Sequence, residues 1–425
     1  MRVALAIFVG RVVQLLARLR GGKGSGAPGL VTNFLAPALL KTVLASFPDG
    51  LVVVSGTSGK STTTKMLAAL LTAHEVRVFT NSSTANLPQG LTSAVLDQGD
   101  WRGRIDADIA VLEMDEAHGA AMAEQFTARV VVLTNVMLDD IERYQSMSRV
   151  ASLLGTIAAR ATEAVVLNAD DAALLSLGRS LDIRDDLAVG WFGVTEAVLA
   201  AQPHGLGYAA TAQERMNSAD AVLVEAVAGR TARLSLSDET VEIGLPSRGA
   251  HFAVDAAAAV EASRRILGER FEIDLAGTTL SSMAPVFGRG EMVTINAVEL
   301  EFVLVQNTAS FQLNLDCLEP GSDRIFVAIG SEENDSSWLW TVDTSSLSAV
   351  DFVSGPKAED MAIRLLYDGV SVGTVDRDLV ASFDAFLALP TSPGERKTVL
   401  FTASCMRELR RRYGLVHAEL AAAKS

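Results

Sequence analysis

Short apolar runs alternate with helical patterns along the chain from residue 50 onward. The runs rich in β-branched residues are "LVVVSG", "VRVFTN", "ADIAVLEMDE", "ARVVVLTNV" and "EAVVLNADD", and "STTTKMLAALLTA" after the first run has the spacing of a helix. Alternation of this kind is typical of a parallel sheet with helices on both faces. The sequence therefore predicts an α/β domain whose central sheet is mainly parallel.

The pattern changes twice further along the chain. Residues 186–248 include the polar alternation "TARLSLSDETVEIGL", which predicts antiparallel strands inserted before the helix "HFAVDAAAAVEASRRILG". After "FGRGEM" the alternation of strands and helices resumes with "LEFVLVQN", "RIFVAIGS", "AVDFVSG" and "KTVLFTAS". We therefore expect a first domain over residues 1–290, with an insertion at about 186–248, and a smaller Rossmann-like α/β domain over residues 291–425.

The first 20 residues have the pattern of an amphipathic helix. Apolar residues recur at helical spacing at Leu5, Phe8, Val12, Leu15, Leu16 and Leu19. The run before Arg11 is shorter than the roughly 20 residues that span a bilayer, and no small-residue cleavage site follows it. Two interpretations stay open: the helix packs on its own domain, which we favour, or it rests on an anionic membrane surface.

Composition and charge restrict the class of protein. The 425 residues have a formal net charge of -15, which argues against nucleic-acid binding because a phosphate backbone is held by clusters of Lys and Arg. The basic exception is the N-terminal segment, where Arg2, Arg11, Arg18, Arg20 and Lys23 occur without any acid. The two cysteines, Cys317 and Cys405, lack metal-ligand spacing, so we expect a cytoplasmic protein without structural zinc.

The segment "SGTSGKSTTTK" predicts a phosphate-binding loop between a strand and a helix. Backbone N–H groups of residues 56–62 (Gly56, Thr57, Ser58, Gly59, Lys60, Ser61 and Thr62), at the positive end of a helix, would form an anion site. Lys60 would reach the terminal phosphates, and the Ser61 hydroxyl would ligate Mg²⁺. The general phosphate-loop motif, G-x-x-x-x-G-K-[ST], would place its first glycine at position 54, and this chain has Val54 there.

The short form of the loop, G-T-x-G-K-[ST]-T, resembles that of the Mur ligase superfamily. "VLEMDEA", "TNVMLDDIERY", "LNADD" and "FGRGEM" resemble further landmarks of that superfamily in the right order. More narrowly, the chain is similar to the MurT family through "GSGAPG", "TNSSTANLPQG", "DDIERY", "VLVQNTASF" and "DSSWLW". The resemblance covers most of the chain. It implies a P-loop central domain with a parallel sheet, followed by the smaller Rossmann-like domain.

The resemblance assigns roles to single residues. Glu113, the acid of "VLEMDEA", would join Ser61 as a ligand of Mg²⁺, and Arg289 of "FGRGEM" could close onto the γ-phosphate of ATP. Asn168 and Asp170 of "LNADD" would contribute to nucleotide binding. Asn81 and Asn86 of "TNSSTANLPQG" would lie on the substrate side.

Asp335 has a separate role under the same resemblance. In the MurT family, the aspartate that opens the stretch "DSSWLW" is thought to complete a Cys-His-Asp triad whose other members belong to a partner glutaminase, GatD. Asp335 would then orient the partner's imidazole and stabilise its charge. Neither cysteine of this chain lies in a nucleophile motif, so glutamine hydrolysis would need that second subunit.

The function implied is that of the synthetase subunit of a glutamine-dependent amidotransferase. It would use ATP to convert the α-carboxylate of D-glutamate in the lipid II stem peptide into an acyl phosphate, and ammonia would then give D-isoglutamine. The expected partners are a GatD-like glutaminase, in a heterodimer, and lipid II. The expected location is the cytoplasm, with residues 1–20 as a candidate contact to the inner face of the membrane.

Several positions depart from the family pattern. MurT proteins commonly carry a four-cysteine zinc ribbon, which two cysteines cannot form. Phe252 and Asp255 replace the asparagines usual in the "HFAVDA" helix, which puts the adenine contacts there in doubt, and Asp140 replaces a Gln or His near the expected metal site.

Two other functions stay open. A stand-alone Mur-type amino-acid ligase, similar to folylpolyglutamate or polyglutamate synthetases, would be active without a glutaminase. A degenerate nucleotide-binding scaffold would show no ATP turnover even in a complex.

Overall fold

The computed structural model describes residues 2–19, 26–81, 86–137, 146–181, 185–209, 220–284, 288–305, 307–318, 323–331, 336–392 and 395–415. Asp335 and Asp140 lie outside these ranges, so their predicted roles stay predictions. Within the ranges, no helix combines the length and the apolarity needed to cross a bilayer.

The first domain is built on a sheet of nine strands within the described residues. Their order is β2-β3-β1-β4-β5-β6-β7-β8-β9, and all neighbours are parallel up to β7. The strands are β1 (Leu51–Ser55), β2 (Val78–Thr80), β3 (Ile109–Glu113), β4 (Ala128–Leu133), β5 (Ala161–Asn168), β6 (Ala188–Val194), β7 (Val222–Ala228), β8 (Thr231–Leu236) and β9 (Glu239–Gly244). The mainly parallel sheet that the alternation predicts is confirmed.

Helices cover both faces of this sheet. They are α1 (Arg2–Leu19), α2 (Gly26–Leu35), α3 (Leu39–Leu44), α4 (Lys60–Ala73), α5 (Pro88–Gln98), α6 (Glu116–Ala121), α7 (Met147–Ala158), α8 (Ala172–Leu181), α9 (Glu196–Ala200), α10 (Ala250–Leu267) and α11 (Ile273–Ser281). Successive residues of β1 face opposite sides, so Val52 packs with α4 and α10 while Val53 packs with α5 and α7. Both side chains are fully buried. A continuous apolar strand is therefore what this position requires.

The insertion expected at about 186–248 forms part of the same sheet. Strands β8 and β9 run antiparallel, as the polar alternation predicts. However, β6 and β7 are parallel members of the central sheet, so the insertion is not a separate antiparallel unit. Leu234 on β8 and Ile243 on β9 are buried in the same core cluster as β1 and α4. Apolar packing therefore joins this region to the domain.

In the part of the second domain that the structure describes, a separate sheet has six strands in the order β10-β11-β15-β12-β13-β14, parallel except for the pairing of β10 with β11. The first strand begins at residue 289, two residues before the predicted boundary. The strands are β10 (Arg289–Ile295), β11 (Val298–Leu304), β12 (Asp323–Ala328), β13 (Ala349–Ser354), β14 (Ser371–Asp376) and β15 (Arg396–Phe401). The helices are α12 (Thr308–Leu315), α13 (Ala358–Tyr367), α14 (Leu379–Ala388) and α15 (Ala403–Arg412).

Charged contacts join the two domains. Arg248, just before α10, forms a buried ion pair with Glu301 on β11. The ring of His204, which follows α9, lies between Asp316 at 2.9 Å and Asp343 at 3.0 Å. Burial alone would lower the pKa of His204, but the hydrogen bonds to these two carboxylates and their charges together raise it. The first sheet and the second sheet are therefore held together on either side of a shared cleft.

Candidate functional site

The loop between β1 and α4 has the geometry of an anion site. Gly56 and Gly59 have positive φ angles of 128° and 82°. A Cβ atom at Gly56 would lie 2.2 Å from the Thr134 hydroxyl oxygen, so a side chain cannot be accommodated there. Helix α4 begins at Lys60, directly after the second of these glycines. The loop therefore ends at the positive end of a 14-residue helix, where an anion is stabilised.

A second loop, which follows β4, braces the first one. The Asn135 side chain accepts a hydrogen bond from the Ser58 N–H at 2.9 Å and donates one to the Ser58 carbonyl at 3.1 Å. The Thr134 hydroxyl donates to the same carbonyl at 2.6 Å. Because β1 and β4 are parallel neighbours, their carboxyl ends bring these two loops together. The sequence analysis did not identify this brace.

Glu113 and Ser61 converge beside the loop. The Ser61 hydroxyl donates to one carboxylate oxygen of Glu113 at 2.7 Å, and the Asn86 side chain donates to the other at 3.2 Å. Asn81 holds the backbone of Glu113 through two hydrogen bonds, at 2.9 Å from its N–H and 3.1 Å to its carbonyl. The predicted pair of metal ligands is therefore brought together, while both predicted substrate-side asparagines position Glu113.

The electrostatics of Glu113 suit a bound cation. Burial raises the pKa of its carboxyl, against the opposing effects of the Lys60 charge, the Ser61 hydroxyl, the Arg289 charge and the Asn86 amide. The carboxylate and the hydroxyl are hard oxygen donors of the kind that Mg²⁺ prefers. A cation between them would offset the cost of burying the charge, so these residues fit a magnesium ion.

Lys60 is held close to the loop. Its ammonium group donates to the carbonyl oxygens of Gly56 and Thr57, the second at 3.1 Å, and lies 3.4 Å from a carboxylate oxygen of Glu116. Burial raises the pKa of Glu116, and the Lys60 charge is the largest effect that opposes the rise. Glu116 lies at the start of α6 and was not predicted from the sequence. It is the counter-ion of the loop lysine in this arrangement.

A cleft of about 610 Å³, open to solvent, lies between this loop and the second domain. Ser58, Gly59 and Thr62 line one side, and Arg289 reaches it from the start of β10. The charge of Arg289 favours the ionised forms of Glu113 and Asp255. Arg289 therefore lies where the second domain meets the phosphate-binding loop, and its predicted contact with the γ-phosphate stays a prediction.

Aromatic side chains line another part of the cleft. They are Tyr208, His251 and Phe252, and the rings of the last two are 4.2 Å apart. Burial, with a smaller effect of Arg289, lowers the pKa of His251 to about 4, so its ring is neutral at neutral pH. Its Nδ1 atom has no hydrogen-bond partner among the described residues. This wall offers flat apolar surfaces and a free ring nitrogen, which are features that fit a nucleobase.

The Asp255 carboxyl group lies against the phosphate-binding loop, a contact that the sequence did not predict. A Cβ atom at Gly59 would lie 2.2 Å from a carboxyl oxygen of Asp255, so the carboxyl group touches the phosphate-binding loop. Burial raises the pKa of Asp255 to about 8, against the opposing effects of Arg289 and the hydroxyls of Thr63 and Thr62. At neutral pH the group is mainly protonated and resembles the neutral amide of an asparagine in its hydrogen bonding.

We expect Asp255→Asn to stabilise the protein as the pH rises. The pKa of Asp255 is raised from 3.8 to about 8 in the folded state. The contribution of the protonated Asp255 carboxyl to the free energy of unfolding is therefore fully present below pH 4 and is lost as the pH rises through 8. The variant avoids that loss, which should be on the order of a few kcal/mol. The gain in thermal unfolding midpoint should therefore be larger at pH 8.5 than at pH 5. Asp185→Asn, at an exposed position, is the control; a gain that does not depend on pH would contradict the expectation.

Asn168 and Asp170 do not line the cleft. Both are fully buried, and Asn168 donates to the Thr134 carbonyl at 3.0 Å. Asp170 accepts a hydrogen bond from the Val194 N–H at 2.7 Å. The prediction placed these two residues on the nucleotide, whereas the structure places them behind the loop that carries Thr134. Their buried polar groups are satisfied there by the ends of neighbouring strands.

Comparison with known proteins adds family information to this geometry. The Mur ligase middle domain model matches residues 54–189, and the MurT ligase C-terminal model matches residues 304–406. The subunit MurT of lipid II isoglutaminyl synthase (glutamine-hydrolyzing) from Streptococcus pneumoniae (strain ATCC BAA-255 / R6) is 25% identical over 402 residues, covering 87% of this chain and 88% of the relative. The subunit of that name from Staphylococcus aureus (strain COL) is 28% identical over 171 residues, covering 40% of this chain and 38% of the relative.

A solved structure supports the fold. The MurF ligase of Thermotoga maritima, in complex with ADP, is similar with a TM-score of 0.62 and 20% identity, covering 94% of this chain and 85% of that one. At this level of identity the similarity shows the α/β fold with its two sheets.

Proposed function

Because the chain belongs to the MurT family of Mur ligases, we propose that it is the synthetase subunit of a glutamine-dependent amidotransferase. Its substrate is the α-carboxylate of D-glutamate in the stem peptide of lipid II, and its product is D-isoglutamine. The observation that carries the proposal is the convergence of Lys60, Ser61 and Glu113 beside a cleft that Arg289 enters from the second domain.

The chemistry requires activation of a carboxylate. One carboxylate oxygen attacks the γ-phosphorus of ATP, and the bond between the γ-phosphorus and the bridging oxygen of the β-phosphate breaks. The products are an acyl phosphate and ADP. Ammonia then attacks the acyl carbon, the C–O bond to phosphate breaks, and loss of a proton from nitrogen leaves the amide. Both reactants of the first step are anionic, so the site must offset their repulsion and align them.

The residues of this chain divide that task. Lys60 would exchange Glu116 for the terminal phosphates. The backbone N–H groups at the start of α4 would hold the remaining phosphate oxygens, because the N–H groups of Thr57 and Ser58 already donate to Asn135. Ser61 and Glu113 would hold Mg²⁺, which would supply positive charge to the phosphates. Asn81 and Asn86 keep Glu113 in place. Arg289 adds a second positive charge from the other side of the cleft.

The neutral ring of His251 and the side chain of Tyr208 are proposed to hold the base of ATP. Asp255 in its protonated form offers an O–H donor and a carbonyl acceptor near Gly59, so the missing asparagine is replaced by a group of similar hydrogen-bonding capacity at neutral pH.

Ammonia must come from a second subunit. Burial raises the pKa of the Cys317 thiol to about 12, and Cys405 is buried. A nucleophilic cysteine needs a lowered pKa, so neither residue suits glutamine hydrolysis. A GatD-like glutaminase is therefore the proposed partner, and Asp335 is proposed to complete its triad.

The test is conversion of lipid II by the complex. The chain, co-purified with a glutaminase subunit, should replace one OH of the lipid II stem peptide by NH₂, and the change should require both ATP and glutamine. Mass spectrometry of the lipid product measures this change in mass. Reactions without ATP and reactions without glutamine are the controls. Addition of an amino acid without any glutaminase would instead establish a stand-alone ligase, and absence of ATP turnover in the complex would establish a scaffold.

A further inference from the structure

Helix α1 packs on the first domain. Ala6 and Ile7 are fully buried. A Cβ atom at Gly10 would lie 2.2 Å from the Thr32 hydroxyl on α2 and 2.8 Å from Leu96 on α5. Such a close approach is possible only where a side chain is absent. The face of α1 that meets the protein therefore contains Ala6, Ile7 and Gly10.

Polar contacts fix the rotation of this helix about its axis. The Arg11 guanidinium donates to the carbonyl of Leu96 at 3.0 Å and to that of Gly99. It also lies 4.6 Å from the centre of the Trp101 ring. One turn later, Gln14 donates to Asp97 at 2.9 Å. These contacts hold the opposite face of α1 toward solvent.

The face that points outward is apolar. On α1 it consists of Leu5, Phe8, Val12, Leu15, Leu16 and Leu19, whose side chains fall within an arc of about 100° and are between 38% and 74% exposed. Helix α2, packed beside α1, adds Leu30, Phe34 and Leu35, with Phe34 86% exposed. We call these nine residues the N-terminal apolar face. The period of the sequence predicted this stripe. Helix α1 packs on its own domain, as the favoured interpretation has it, but through Ala6, Ile7 and Gly10 rather than through the stripe.

Charge indicates what covers this face. Residues 1–25 carry Arg2, Arg11, Arg18, Arg20 and Lys23 and no acid, in a chain with a net charge of -15. An anionic lipid surface attracts basic residues by about 1 kcal/mol each, and it accepts the apolar side of a helix at the boundary between headgroups and acyl chains. Apart from Arg11, which the Leu96 and Gly99 carbonyls hold, the basic residues of this segment occur together with an exposed apolar face, and the segment matches that surface in both properties.

We propose that the N-terminal apolar face docks the protein on the surface of an anionic phospholipid bilayer, with α1 lying in the plane of the interface. Helices α1 and α2 both pack on α5, and a Cβ atom at Gly29 of α2 would lie 1.8 Å from the Gln89 carbonyl of α5. Helix α5 begins two residues after Asn86, which holds Glu113. Docking would therefore bring the substrate side of the site near the bilayer; this last step rests on the proposed lipid II function, whereas the docking itself does not.

The test measures vesicle binding by the full chain in the absence of nucleotide and lipid II. Wild-type protein should co-sediment with vesicles of phosphatidylcholine and phosphatidylglycerol, and less with phosphatidylcholine alone. Leu15→Glu combined with Leu19→Glu should weaken binding on the order of tenfold or more. The matched control is Ile363→Glu with Leu366→Glu on α13, where the side chains are 55% and 60% exposed and binding should not change.

Two outcomes would overturn the proposal. The first is equal sedimentation of wild type and the Leu15 and Leu19 variant. The second is no vesicle binding together with a concentration-dependent self-association that the same two substitutions abolish, which would assign the face to a second copy of the chain. Because the assay contains no ATP and no lipid II, its result is independent of whether the chain amidates a carboxylate. ATP turnover of the complex, measured on the same preparations, reports the proposed function separately.

Discussion

Lys60→Ala is expected to reduce ATP-dependent amidation by about 10³-fold or more. The Lys60 ammonium group is the positive charge nearest the loop that ends at α4, and its counter-ion Glu116 is only 3.4 Å away. Removing it leaves the terminal phosphates and the attacking carboxylate without that charge during phosphoryl transfer. The rate of ADP release by the complex with saturating lipid II and ammonia is the measurement, because ammonia bypasses any effect on glutamine hydrolysis.

The same substitution also leaves Glu116 buried without its partner, so stability and activity must be separated. An unpaired buried carboxylate lowers the stability of the folded state. Adding Glu116→Gln to Lys60→Ala should restore the thermal unfolding midpoint and leave amidation lost. Lys41→Ala, at an exposed position on α3, is the control for loss of a positive charge. If the double variant recovered turnover together with stability, Lys60 would have a structural role only.

The central strands were predictable from the sequence because they are buried on both faces. Val52 and Val53 in β1 show why: consecutive apolar β-branched residues have no solvent side, so the whole run is apolar. Two other strands were not predicted, each for a different reason. Every residue of β14 is at least partly exposed, and β6 contains two glycines and a tryptophan instead of a β-branched run. These two segments are strands because of the neighbouring strands with which they pair in the folded protein, and the local sequence pattern carries no information about those neighbours.

Some residues of the candidate site were predictable from the sequence, and others were not. Lys60 and Ser61 were predictable because the loop is contiguous in sequence, and Glu113 was reached through the family resemblance at the end of β3. Glu116 was missed, and the contact of Asp255 with the loop was not predicted, because their partners lie 56 residues or more away in the chain and single acids carry no local signature. The helical period of α1 likewise predicted a stripe of apolar residues. It did not predict which face of α1 packs on the first domain, because that depends on the close approach of Gly10 to α2 and α5.

Asp335→Asn is expected to abolish most glutamine-dependent amidation, by roughly 10²- to 10⁴-fold, while amidation with free ammonia stays at the wild-type rate. Asp335 lies outside the described residues, and the prediction rests on its place in "DSSWLW". An amide cannot stabilise a positively charged imidazole, and it favours the wrong tautomer of that ring. The loss should therefore be confined to the glutaminase reaction, measured as glutamate release by the complex.

The nearby acid Glu332 supplies the matched control, since Glu332→Gln removes the same charge from the same segment without touching the family motif. It should leave both nitrogen sources equally effective. Lys60→Ala should lose amidation with glutamine and with ammonia alike, because it acts on carboxylate activation. Equal losses with both nitrogen sources in Asp335→Asn would place this residue in the synthetase reaction instead. A normal glutamine-dependent rate would mean that the glutaminase supplies its own acid, so that the two subunits share no active site.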